Sequence, residues 1–177
     1  MKKILFLLAL ISAPAFAQNI NLDDIKWVVP RGQKNKYQAA DGEATFKFPV
    51  ASKEGAWFVG QLQKEVMLAE KKFINFSARS NDGQTHIIYF YIRRELVSGN
   101  EASFYSLVKI SPEWKTFNLH LECSSRANVS KGYFVFTKGT KNCDLDLSKG
   151  GKLLTLQIVV QEEAELIFKD FNLVSEL

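Results

Sequence analysis

An antiparallel β-sandwich is the fold class this sequence predicts, and three observations predict it. Apolar and polar residues alternate with period two over most of the chain, turn residues recur every ten or so positions, and no convincing amphipathic helix interrupts the pattern. The alternating segments are 44–50, 57–68, 72–80, 85–94, 103–110, 115–122, 132–137, 153–161 and 165–174. Residues 61–72 have helix-forming Leu, Lys, Glu and Ala, but the neighbouring strands need a partner there, so the strand reading is kept.

The first seventeen residues are set apart. Lys2 and Lys3 precede an apolar run from Ile4 to Ile11, and Ala15-Phe16-Ala17 offers a small-x-small cleavage site before Gln18. The run is too short to span a bilayer, and no later stretch approaches about 18 apolar residues. The expectation is a cleaved signal peptide over 1–17 and an exported protein, periplasmic or extracellular, with no membrane span. Loss of Lys2 and Lys3 with the leader takes the net charge from +4 to +2. So small a surplus argues against nucleic acid as a partner.

The two cysteines, Cys123 and Cys143, both fall in the mature part, where an oxidising compartment favours their pairing. Such a bridge closes a loop of about 21 residues and contributes roughly 3 kcal/mol by the chain-entropy estimate. Two unbridged or metal-bound thiols are the alternative.

Turn chemistry punctuates the strands. Asn81-Asp82-Gly83 tolerates positive φ and predicts a hairpin between the strands on either side. Pro112 stands at a strand entry, where its missing N–H does least harm. Gly150-Gly151 separates a polar segment from the last strand pair, and the polar stretch 31–42 reads as a long loop or frayed edge. With no internal repeat, the sequence divides into the leader 1–17, an N-terminal strand and polar loop over 18–42, and one domain over 43–177.

Three motifs in order, Asn75-Phe76-Ser77-Ala78-Arg79-Ser80, Glu113-Trp114-Lys115 and Leu166-Ile167-Phe168-Lys169-Asp170-Phe171-Asn172-Leu173, carry a family likeness. Residues 43–177 resemble the galactose-binding-like jelly rolls, in particular the carbohydrate-binding modules attached to xylanases and related glycoside hydrolases. The resemblance implies a jelly-roll sandwich, a non-catalytic role, a glycan groove on a sheet face, and a packing role for Trp114 at the core or its edge. Lys169 stands where the closing motif carries its first acidic residue, which weakens the carry-over of a structural calcium. No other cofactor is implied.

Alternation assigns the candidate site. With Ile74, Phe76, Ala78, Ile88, Phe90 and Ile92 in the core of one hairpin, Asn75, Ser77, Arg79, Tyr89, Tyr91 and Arg93 point the other way. Leu62 and Val66 of the preceding strand follow the core and leave Gln61, Gln63 and Glu65 outside. One face would thus gather Gln61, Gln63, Asn75, Arg79, Tyr89, Tyr91 and Arg93, with Trp57 as a further stacking platform. That mixture suits a sugar, whose apolar ring face stacks on aromatics and whose hydroxyls need planar amide and guanidinium partners. The bland alternative is that the tyrosines only cover an exposed sheet. The same face could instead serve a protein partner in the cell envelope.

Other chemistry is thin. No Gly-x-Ser-x-Gly, His-Glu-x-x-His or glycine-rich phosphate loop occurs, so no enzyme is expected. His86 and His120 read as satisfied surface histidines, with no metal expected. Glu162, Glu163 and Glu165 read as a solvated cluster at a turn. Asp144 and Asp146 could join a calcium site only with further loop oxygens.

Overall fold

The computed structural model of the chain describes residues 18–50, 54–95, 99–137 and 151–176. Within them lie twelve strands: β1 (Gln18–Asn19), β2 (Ile25–Val28), β3 (Lys36–Ala40), β4 (Glu43–Phe48), β5 (Ala56–Met67), β6 (Phe73–Ser80), β7 (His86–Glu95), β8 (Glu101–Ile110), β9 (Lys115–Cys123), β10 (Tyr133–Phe136), β11 (Lys152–Val160) and β12 (Ala164–Val174). Two 3-10 segments, Leu22–Asp24 and Arg126–Lys131, are the helical elements of the described residues. The leader over 1–17, Cys143, Asp144 and Asp146 lie outside the described residues. Cys123 is half-buried against the core at the end of β9.

Sequence alternation reappears as burial alternation. In β6, Ile74, Phe76, Ala78 and Ser80 are buried and the residues between them are not. In β7 the same holds for His86, Ile88, Phe90, Ile92 and Arg94. Strands with one face in a core and one face in solvent show this period, because successive Cβ atoms leave opposite sides of the pleat.

The strands run in the order β2-β5-β11-β7-β8-β10-β9-β6-β12-β4-β3, with β1 on β12. One layer is β2-β5-β11-β7-β8 and the other β9-β6-β12-β4-β3. β10 joins them along one side, pairing antiparallel with β8 and parallel with β9, the one departure from an otherwise antiparallel ladder. The path ends on β2 and β3 at the opposite side, where rings close the seam instead of a ladder. Trp27 of β2 lies 6.0 Å from Tyr37 of β3, and both pack on Phe46, at 4.7 and 5.2 Å. The single sheet therefore nearly closes into a barrel, flattened as a jelly-roll sandwich. β3, the predicted frayed edge, is an edge strand, and most of its residues are exposed.

Phenylalanines fill the space between the layers. Phe76 of β6 stacks on Phe90 of β7 at 5.2 Å and on Phe171 of β12 at 5.1 Å, with Phe168 at 5.6 Å. This contact corrects the predicted hairpin. β6 pairs with β9 and β12, and β7 with β8 and β11, so the 81–85 turn carries the chain from one layer to the other. Both sets of core residues face inward, but across the sandwich rather than side by side.

Candidate functional site

Register places an aromatic patch on the outer face of the β2-β5-β11-β7-β8 layer. Tyr91 of β7 stands opposite Tyr105 of β8 and Gln157 of β11, and Gln157 stands opposite Val59 of β5. One row along, Trp57, Val159, Tyr89 and Leu107 line up across four strands; on the other side Gln61, Thr155, Arg93 and Ser103 do so. With strands about 4.8 Å apart, Trp57 and Tyr89 are separated by roughly 10 Å across Val159.

The three tyrosines form one cluster. Ring centroids lie 5.5 Å apart for Tyr91 and Tyr105, 6.0 Å for Tyr89 and Tyr105, and 6.4 Å for Tyr89 and Tyr91. All three are half-buried, each flanked by its own kind. Burial, followed by the neighbouring Tyr105 and Tyr89 hydroxyls, pushes the Tyr91 phenol above its ordinary value of 10.0. Arg93 is ion-paired with Glu101 across the β7–β8 ladder, so its charge is balanced at the rim of the patch. Gln63 lies within the irregularity in β5–β11 pairing, exposed, and donates from Nε2 to the Gln61 carbonyl.

Six of the eight residues predicted for the site, Trp57, Gln61, Gln63, Tyr89, Tyr91 and Arg93, belong to this layer. Asn75 and Arg79 do not. They sit on β6, whose outer side is the opposite surface of the molecule, because the 81–85 turn changes layers. Tyr105 and Gln157, not among the predicted residues, share this face, and the alternation of Phe104, Ser106 and Val108 inward already put Tyr105 outward.

On the opposite surface, Asn75 donates to Asn118 of β9, and Ser77 and Thr116 share a hydroxyl contact of 3.2 Å. Trp114, expected to pack at the core or its edge, lies outside the core. It is 39% exposed, with the Arg79 guanidinium 5.4 Å and the Lys169 ammonium 4.1 Å from its ring. The Lys169 and Asp170 of the closing motif fall at a pairing irregularity in β12, where Asp170 takes φ 56°.

At the layer-crossing end, His86 is 1% exposed rather than at the surface. Its Nδ1 lies 2.9 Å from Glu162 and its Nε2 2.9 Å from Asp82. Asp82 also accepts from the backbone N–H of Gln84 and of Glu165, so one carboxylate binds the turn, the core histidine and β12 together. Glu162 and Glu163 are exposed at the turn, in keeping with solvated glutamates, but Glu162 also holds His86, and Glu165 accepts from Lys47 and Asn81. Burial pushes the Asp82 carboxyl up, but the hydrogen bonds from His86, Gln84 and Glu165 outweigh it and hold it below its ordinary 3.8. A lowered value in the folded state makes this stabilisation present above about pH 4 and lost as pH falls through the folded value. Asp82→Asn is therefore expected to lower Tm at pH 7 by a few degrees, for about 1–2 kcal/mol of charge-assisted bonding, and to converge with the unsubstituted protein as pH falls through the lowered folded value. Paired calorimetric melts across that range check it.

No family model matches the sequence, and no curated protein matches it. Solved structures do match in shape. The family 11 carbohydrate-binding module from Clostridium thermocellum, in complex with a β-1,3-1,4-mixed-linked tetrasaccharide, superposes with a TM-score of 0.63 at 12% identity, over 93% of this chain and 99% of that one. The fold is that of a carbohydrate-binding-module β-sandwich. The structure of PfGH50B matches with a TM-score of 0.62 at 15% identity, covering 92% of this chain and 24% of that chain. An agarase, AgWH50C, matches with a TM-score of 0.59 at 12% identity, over 88% of this chain and 23% of that one. In both, the likeness is to about a quarter of a longer chain.

Proposed function

We propose that the protein is an exported, non-catalytic carbohydrate-binding protein that holds a neutral oligo- or polysaccharide on the outer face of the β2-β5-β11-β7-β8 layer. The observation that carries this reading is the cluster of Tyr89, Tyr91 and Tyr105, half-buried yet facing outward, with Trp57 at one side. Aromatic rings supported by each other and by a sheet give rigid stacking surfaces for pyranose faces. Gln157 stands in the Tyr91 row and Gln61 and Arg93 in the row alongside, where planar polar groups are needed for hydroxyls. With Arg93 paired to Glu101, the centre of the patch carries no unbalanced charge, which favours a neutral ligand over an acidic one. The oligosaccharide-bound module of the same fold adds support for the ligand class and makes mixed-linked β-glucan and agarose the first polymers to try. Export and a Cys123–Cys143 bridge belong to the same proposal and rest on the leader pattern and on cysteine usage.

The test is binding of the 18–177 protein to a panel of neutral polysaccharides by affinity electrophoresis and calorimetry. Tyr91→Ala is expected to weaken binding about tenfold, or about 1.4 kcal/mol. The Tyr89→Ala/Tyr91→Ala/Tyr105→Ala variant is expected to abolish it, with Tm little changed. Binding should persist at high salt, since stacking and neutral hydrogen bonds are weakly screened. Failure to bind any neutral glycan, or full binding by the triple variant, would reject this face as the site. A salt-sensitive contact with an envelope protein would then become the better account of the patch.

A further inference from the structure

The outer face of the other layer carries a separate set of groups. Along β6 and β9 runs a polar ladder of Asn75 with Asn118 and Ser77 with Thr116, leading to Trp114, Arg79 and Lys169. From Asn75 to Arg79 the strand covers roughly 13 Å.

The cations here differ from Arg93. Among the described residues Arg79 makes no ion pair, its Nε is buried without an acceptor, and the guanidinium rests against the Trp114 ring. Lys169 stands over the same ring, and the nearest carboxylate oxygen, of Glu43, is 3.7 Å away, beyond a hydrogen bond. A ring holds a cation in place without neutralising it or occupying its N–H donors. Register places Lys36, Lys47, Arg79 and Lys169 on this face against Glu43 and Glu165, and Glu165 is already taken by Lys47 and Asn81. Counting Glu122 at the far end of β9 and the loose Glu43–Lys169 pair, four cations on this face stand against three carboxylates among the described residues, so the balance is positive, with Arg79 and Lys169 meeting at Trp114.

We propose that this face is a second saccharide site, for a sugar bearing an anionic substituent, carboxylate or sulfate, received by Arg79 and Lys169 beside Trp114. The amides of Asn75 and Asn118 and the hydroxyls of Ser77 and Thr116 supply the neighbouring partners for ring hydroxyls. This site does not depend on the tyrosine patch: the two lie on opposite surfaces, one suited to a neutral ligand and the other to an anionic one.

Binding of the 18–177 protein to polygalacturonate, dextran sulfate and polyglutamate at low and high salt tests it. The expected result is binding to at least one of the two saccharide polyanions at low ionic strength, weakened tenfold or more by Arg79→Gln/Lys169→Gln and by salt. The triple tyrosine variant should bind them unchanged, and polyglutamate should bind at least tenfold more weakly. Which polymer binds separates carboxylate from sulfate recognition. If Arg79→Gln/Lys169→Gln fails to melt cooperatively, Lys169→Glu replaces it with the same expected loss. Binding to neither saccharide polyanion, binding indifferent to these substitutions, or equal affinity for polyglutamate overturns the proposal.

Discussion

Replacing Phe76 by alanine is expected to lower the unfolding free energy by about 3–5 kcal/mol, among the largest effects of any single truncation in the core. The ring is fully buried and meets four others: Phe171 at 5.1 Å, Phe90 at 5.2 Å, Phe117 at 5.5 Å and Phe168 at 5.6 Å. Because Phe76 and Phe90 come from opposite layers, truncation removes contact between sheets as well as within one. The surrounding rings are held by their own strands and close only part of the void, so the cavity cost adds to the lost transfer energy. Tm should fall by about 10 °C or more for a domain of this size. Phe76→Leu, which keeps most of the volume, should cost less than half as much. Denaturant unfolding of both variants decides the matter; similar small losses would mean that the layers are held together mainly at β10 and at the Trp27–Tyr37 seam.

The same pair of rings shows how far the sequence could be read. Alternation correctly placed Phe76 and Phe90 inside, because inward positions recur every second residue in either layer. It did not say which layer each strand joins, because the pattern is identical in both. Asn81-Asp82-Gly83 has the chemistry of a tight turn, and a tight turn serves a hairpin and a crossing between layers equally well. What decides between them is distant: β6 finds partners in β9 and β12, β7 in β8 and β11, and Asp82 is fixed by Glu165. From that one ambiguity came the misplacement of Asn75 and Arg79 beside the tyrosines. For Trp114 the choice between core and edge stayed open for a related reason, since an aromatic at a strand entry reads as packing until the cations around it are known. Tyr89 and Tyr91 do fall on one face because they share a strand, and Tyr105 was recoverable from the β8 alternation alone.

Gly151→Ala is expected to be nearly as damaging as loss of Phe76, at about 3 kcal/mol, and to weaken glycan binding as well. Gly151 takes φ 92°, and a Cβ there would lie 2.1 Å from the Glu95 carbonyl oxygen and 3.2 Å from Arg94 Nη2. The first contact is with backbone, so relief requires β11 to move against β7, while the Gly151 carbonyl also accepts from Leu68 N–H. Strain from positive φ and steric overlap each contribute about 1–3 kcal/mol. β11 is the strand that sets Gln157 between Val59 and Tyr91, and Thr155 beside Arg93, so a shift at its start displaces the polar rows of the tyrosine face. Gly83→Ala provides the comparison: φ is 80°, but nothing lies within 4 Å of the added Cβ, so only the conformational cost of about 1 kcal/mol remains. Gly83→Ala should therefore keep full glycan affinity and lose a few degrees of Tm, whereas Gly151→Ala should lose both. Equal effects from the two substitutions would show that the Gly151–Glu95 approach relaxes freely and that β11 is registered on β5 and β7 by its buried Leu153, Leu156, Ile158 and Val160.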